Sequence, residues 1–531
     1  MKKIISAIFV IILMLNICGC KGGVLNTVSN EKKISAVKKK VTECTLLYSE
    51  SDSLNPYKAS TDLNRTVCQL IYSPLFTINE DFSPHNVLCD EYTLDGKIFT
   101  VKIKDAFFSD NTPVTLNDIL YSYNYAVKAS ISYRERLSCV TNVEIKSDSI
   151  VFTLDRINDF SVNLFTFPIL KENTADIADS DSVEIPPIGC GRYYFDEDEK
   201  ILLQNDNYFG KVGTMQKIRL INAPDEDSIS HYVEIGACHM FYAGLNCKTI
   251  PRMDGEKKSI VTTDLIYIGI NPISTVLDDE NVRYAVSLAL DRESICTYGF
   301  YTNAVATKGF YHPYILDLDK VQTINTTSNV VLSQQRLNEA GYTYNAKSGY
   351  FENSAGKVLS LSLLVNSSSS EKENAALQIV SSLKSAGIKV TVVKQKYSKY
   401  VESLKDGDFN LYLADTYLYE DFDLSPLLCE NGSVAYSVKK SSVDDINKTT
   451  ESEKGTDNVA TIVATNIDST SLINGYYEGE YTIDDMATLL ITEMSVIPIA
   501  YKSTQLFYNK DILDLSEATY FDLFYSKEFG Y

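Results

Sequence analysis

Four histidines occur in the 531 residues, His85, His231, His239 and His312, and none shares a helix face with another at the spacing metal ligands need. His231 and His239 lie eight apart, which carries no metal signature. The chain has no G-x-S-x-G elbow, no H-E-x-x-H, no phosphate-binding loop and no G-x-G-x-x-G turn. Acids are plentiful, 70 Asp and Glu against 49 Lys and Arg, so a carboxylate pair for glycoside hydrolysis could be assembled in space, but no spacing points to one. The chain carries 36 Tyr and 22 Phe and no Trp; tyrosine brings apolar area with a hydroxyl handle, useful for lining a polar pocket, while most of these rings are expected in the core. No catalytic residue, metal or cofactor is expected. A net charge of −21 disfavours nucleic acid, whose phosphates require basic patches.

The amino-terminal segment sets an address. Lys2 and Lys3 precede an apolar run from Ile4 to Leu15, the order of a signal peptide, and the run is too short to cross a bilayer comfortably. Ile17-Cys18-Gly19-Cys20 resembles a bacterial lipobox, which makes Cys20 the expected lipidation site and first mature residue. Acyl chains on Cys20 would hold the body at a lipid bilayer. Residues 21–41 contain Gly22, Gly23 and a set of lysines and read as a flexible stalk of roughly 25 Å reach. Of the 11 cysteines, nine remain once Cys18 and Cys20 are set aside. Nine is odd, so at least one thiol stays unpaired within the chain; Cys238 and Cys247 are the one pair considered for a bridge.

From Thr45 onward the chain reads as densely folded. A short strand around Cys44–Tyr48 leads into a turn at Ser53-Leu54-Asn55-Pro56 and a helix from Leu63 to Tyr72. Phe99–Lys104 and Ser149–Leu154 alternate apolar and polar, the period of half-buried strands. Thr115 followed by Asp118 opens a helix running to Val127. Val358–Val365, Lys372–Ser385 and Ile388–Val393 form a β–α–β passage, with Gly387 supplying the left-handed helix end. Asn281–Ile295 reads as one amphipathic helix whose end carries an Asp291–Arg292 ion pair, and residues 437–480 read as short surface elements and loops. A chain of this length exceeds one ordinary domain.

Nine short stretches, in order, resemble the extracellular solute-binding family 5, the oligopeptide, dipeptide and nickel-binding receptors of ATP-binding-cassette (ABC) importers. They are Leu54–Pro56, Leu70–Leu75, Asp95–Lys104, Phe107–Asp118, Pro187–Tyr193, Asn207–Tyr208, Asn281–Ile295, Arg336–Gly341 and Ala386–Val390. Two departures stand out: Tyr92 where Trp is usual, and Asn111 where Gly is usual, although Asn tolerates a left-handed backbone.

The resemblance implies an α/β, two-lobed periplasmic-binding-protein-like fold (type II, cluster C-like) with hinge strands between the lobes. Residues 1–19 would be the signal peptide and 20–41 the lipidated cysteine and stalk. Lobe I would take 42–264, with an extra subdomain at 76–185; lobe II would take 265–498, and 499–531 would return to lobe I. The implied function is capture of a small peptide for ABC permease subunits, by a monomer at the outer face of the bacterial cytoplasmic membrane. Receptors of this kind for a nickel chelate, a sugar or a signalling peptide are the nearest alternative, and a surface hydrolase or a ligandless adhesin stands further off. In peptide-binding relatives an aspartate of lobe II pairs with the peptide ammonium; Leu411–Tyr417 matches that place, which makes Asp415 the candidate. Tyr417, Tyr419 and Asp421 lie beside it, and Tyr48 and Asn55 near the expected cleft rim, as further ligand-binding candidates.

Overall fold

The computed structural model describes residues 41–531, apart from 181, 246, 248, 319–320, 322, 440–467 and 531. The signal segment, Cys20 and most of the proposed stalk lie outside the described residues. Among those described, no helix is long and apolar enough to cross a membrane.

Three sheets of four or more strands organise the chain. The first is mixed: Glu43–Tyr48 runs parallel to Lys217–Asn222, followed by Ile201–Gln204 and Tyr193–Asp196. The second is antiparallel, with Cys89–Asp95, Ile98–Ile103, Ser149–Leu154 and Val140–Lys146 in that order. Leu116–Ala129 contacts this second sheet; Thr115 and Asp118 form the reciprocal cap its sequence announces, Thr115 N–H donating to Asp118 Oδ2 at 2.8 Å. The third has seven strands, and its backbone is two long ones, Glu256–Ile270 and Val496–Tyr508, paired antiparallel. Leu411–Tyr417, Ser360–Asn366 and Lys389–Gln395 extend it on one side.

The β–α–β passage forms as its periodicity implies. Ser360–Asn366 and Lys389–Gln395 are parallel, joined by the helix Ser370–Ser385, which buries Ala375, Ala376, Ile379 and Leu383. Gly387 adopts φ 84°, a conformation costly for any residue with a Cβ. Asn111 sits at φ 66°, so asparagine does meet the turn's left-handed requirement. The Gly189-Cys190-Gly191 stretch has a different cause: Gly191 N–H donates to Ile71 O at 2.9 Å, and a Cβ on either glycine would strike the Ile71 carbonyl.

Two main apolar cores result. One gathers Leu46, Leu70, Phe99, Phe152, Ile218 and Phe524; the other gathers Val282, Leu363, Leu383, Leu413 and Ile497. The two long strands serve both. Ile260 and Leu506 belong to the first core, and Leu265–Ile270 with Val496–Ile497 to the second. Val261 and Ile499–Tyr501 also belong to the second core. Between Val261 and Leu265 on one strand, and Tyr501 and Leu506 on the other, the buried residues are Thr262, Thr263, Ser503 and Thr504, and the ladder shifts register between Val261 and Leu265. An irregularity without apolar anchoring is where a paired ribbon bends most easily.

Three expectations change. Helix Glu280–Ala289 stops at Leu290, and Asp291 instead caps a new turn by accepting from Ser294 N–H at 3.0 Å. Arg292 makes no ion pair among the described residues; 1% exposed, it donates to Pro498 O, Ser287 O, Asn325 O and Ser287 Oγ at 2.9–3.1 Å. The chain breaks its helix so that this guanidinium can turn inward. Ser469–Tyr477 is a short helix but not a surface one, burying Leu472, Ile473 and Tyr476 in the second core; its Asp468 cap and apolar spacing were visible signals diluted by the polar residues before it. All nine described cysteines are reduced, Cys238 and Cys247 included, and Cys247 Sγ donates to Thr249 O at 3.2 Å.

Candidate ligand cavity

A cavity of about 810 Å³ opens between the two cores. Pro56, Tyr57, Tyr72, Tyr133 and Arg136 line it from the first core's elements, and Asp415, Tyr417 and Glu420 from the second's; Asp264 and Lys502 enter from the long strands. Its walls are tyrosine-rich, with Tyr208, Tyr242 and Tyr520 also present, so the absence of Trp leaves the cavity aromatic.

Its charges are mostly paired. Asp415 sits on Leu411–Tyr417, and its two oxygens accept from Lys372 and Lys502. Burial alone would raise the Asp415 pKa; the two ammonium groups reverse that and hold it below the usual carboxylate value. Arg136 reaches across to Glu420 at 2.5 Å and donates to Thr166 Oγ1 at 2.9 Å. Glu420 is 1% exposed, so its ionised form requires that partner. Arg192 and Asp522 pair at 2.5 Å. Asp264 differs. Its pKa is raised, by burial first; Asp415 raises it further, while Lys502 and Lys372 oppose the shift without overcoming it.

The six candidate binding residues separate. Asp415 and Tyr417 line the cavity; Tyr419, Asp421, Tyr48 and Asn55 are not among its lining residues. Tyr419 donates to Glu135 Oε2 at 3.0 Å, bridging the loop after Tyr417 to the helix Ile131–Arg136. Tyr48 is buried in the first core. Asn55 is buried in the turn, accepting from Tyr57 N–H at 3.1 Å and donating to Ala175 O at 2.9 Å, and it thereby sets Pro56 and Tyr57 at the cavity wall. Sequence reasoning missed Asp264, Arg136, Glu420 and Tyr520. Only Asp264 carried a local signal, because Thr262-Thr263-Asp264 interrupts an otherwise apolar strand.

Asp421 is buried with no cation paired to it among the described residues, and its pKa is raised to about 7, by burial and then by Asp423, with Arg156 opposing. A carboxyl raised in the folded state supports stability while it is protonated and loses that support as pH climbs through its folded value. Asp421→Asn should therefore melt higher than the wild type at pH 8, by on the order of 1 kcal/mol or more, and the gap should close as the pH falls towards 4. Thermal melts at both pH values check this; a gap that widens on acidification refutes it.

The model of the bacterial extracellular solute-binding proteins, family 5 Middle, matches residues 84–429. The oligopeptide-binding protein AppA of Bacillus subtilis (strain 168) is 27% identical over 395 residues, covering 68% of this chain and 69% of that protein. Among solved structures, the unliganded open form of the periplasmic murein tripeptide-binding protein MppA superposes with a TM-score of 0.65 at 18% identity, covering 90% of this chain and 96% of that one. The nickel ABC transporter structure from Bacillus halodurans gives 0.67 at 17% identity, over 88% of this chain and 95% of that one. The fold is thus the two-lobed, cluster C fold of periplasmic solute-binding proteins. With the family match covering more than half of its length, the chain belongs to the bacterial extracellular solute-binding proteins, family 5.

Proposed function

We propose that this protein captures short peptides between its two lobes and delivers them to ABC permease subunits, without making or breaking a bond. The observation that carries the reading is a cavity walled by both cores, whose elements are joined through two strands that change core at a hydroxyl-lined band. A guest touching both walls favours the shut arrangement by its additional contacts there. Mixed charges, tyrosine hydroxyls and aromatic faces suit a ligand with two charged ends and many amides. AppA is named an oligopeptide-binding protein and MppA a murein peptide-binding protein, which supports the same ligand class here.

In this reading residues 42–264 and 499–531 form lobe I, with 76–185 as its extra subdomain, and 265–498 form lobe II. Thr262, Thr263, Ser503 and Thr504 mark the hinge. Asp415 and Tyr417 contact the ligand; the Lys372–Asp415–Lys502 group, with one net positive charge, suits carbonyl or carboxylate oxygens. Residues 1–19 direct export, and acylated Cys20, with 21–41 as tether, holds a monomer at the outer face of the cytoplasmic membrane.

Calorimetric melting of the mature chain tests the ligand class, with pools of di- to pentapeptides, oligosaccharides, and nickel with and without chelators. Saturation at about 100 Kd adds about 2.7 kcal/mol to the folded state, so a binder raises the melting temperature measurably. A shift with peptides alone supports the proposal. A shift with nickel or sugar alone, or peptide cleavage during incubation, overturns it.

A further inference from the structure

We propose that the cavity receives a protonated amine of its ligand on Asp264, among the phenols of Tyr242, Tyr417 and Tyr520, and not on Asp415. The inference rests on the peptide reading only for the molecule that brings the amine.

Asp264 stands opposite Tyr417 in the strand ladder and lines the cavity. Its one side-chain hydrogen bond among the described residues comes from Thr262 Oγ1 at 3.2 Å, and that hydroxyl is also directed at Lys502 O, 3.1 Å away. A largely enclosed carboxylate without its own cation is costly, and a ligand cation relieves that cost. Asp415 is in the opposite position. With Lys372 and Lys502 on its two oxygens, any further ammonium approaching it meets two like charges.

Glu420 adds a second buried carboxylate beside this site. It is 1% exposed and lines the same cavity; its Oε1 takes Arg136 and the Tyr417 hydroxyl, while its Oε2 is buried without a hydrogen-bond partner among the described residues. The Tyr520 phenol ties the groups together: its pKa is raised by burial first, then by Tyr417, Tyr242, Glu420 and Asp264, so three phenols and two carboxylates share one neighbourhood. Aromatic faces attract cations, and carboxylate and phenol oxygens accept from N–H. A protonated amine offers one positive charge and three donors. The chemical class is therefore a primary ammonium, whether a peptide amino terminus or an alkylamine.

Titration calorimetry on the mature chain with trialanine, N-acetyl-trialanine and 1,5-diaminopentane tests this. The wild type should prefer trialanine over its acetylated form by roughly thirtyfold. Asp264→Asn should abolish that preference. Asp415→Asn combined with Lys502→Met, which leaves the local charge unchanged, should retain it. Tyr520→Leu, placed off the long strands, should reduce it about threefold and serves where the Asp264 variant does not fold. Preference retained by Asp264→Asn, lost in the double variant or unchanged in Tyr520→Leu overturns the assignment. If peptides fail to bind the wild type but 1,5-diaminopentane binds and Asp264→Asn weakens it, the peptide reading falls and the amine site stands. If neither probe binds the wild type, the amine site falls as well.

Discussion

Arg292→Ala should cost the second core about 3–5 kcal/mol and lower its melting transition accordingly. The guanidinium joins three segments distant in sequence: the helix Glu280–Ala289 through Ser287, the segment at Asn325, and the long strand through Pro498. Removing it leaves three carbonyl oxygens and a hydroxyl without that donor, each worth about 1–3 kcal/mol when buried, and opens a hole as well. The loss is partly offset because burial disfavours the charge itself, lowering the arginine pKa to about 9. Arg292→Lys should recover little, since a single ammonium cannot reproduce a fork that reaches three elements. Melting followed by far-ultraviolet circular dichroism reads the effect; an alanine variant melting with the wild type would refute the account.

Arg136→Met should be of similar size, about 3–5 kcal/mol, because it leaves Glu420 as a buried charge without its cation. Its location makes the outcome more specific. Arg136 ends a helix packed on the first core, and Glu420 follows the strand Leu411–Tyr417 of the second, so the loss falls on the contact between lobes. Neighbouring contacts cross the same boundary: Arg156 with Asp423 at 2.7 Å, Asn158 donating to Asp421 O at 2.9 Å, and Tyr419 with Glu135. The single variant should show a larger radius of gyration in small-angle scattering. Arg136→Met combined with Glu420→Met should recover most of the stability, since two apolar side chains of similar volume need no pairing. A double variant as unstable as the single one would show that the contact is not electrostatic in the manner described.

What the sequence conveyed depended on how local the cause was. The β–α–β passage and the Thr115–Asp118 cap were legible because their determinants, an alternating strand, a helical stripe, a capping acid and Gly387, all lie within a few residues of what they control. Arg292 was not legible: its partner Pro498 lies 206 residues away, and adjacency to Asp291 suggested an ion pair that does not form. The cavity follows the same rule. Asp415 and Tyr417 could be singled out from a stretch resembling relatives, whereas Arg136, Asp264, Glu420 and Tyr520 come together through chain reversals that no spacing encodes. Tyr48 and Asn55 were near the right place in the chain, but one faces the core and the other holds a turn.

The threonine and serine band across the two long strands has a thermal consequence. Flexure at Thr262–Thr263 and Ser503–Thr504 would wet alcohol groups and not hydrocarbon, and wetting polar surface carries a heat-capacity change opposite in sign to that of apolar surface and smaller. The balance between gaping and shut forms, so far as this band governs it, would then drift little between cold and warm surroundings.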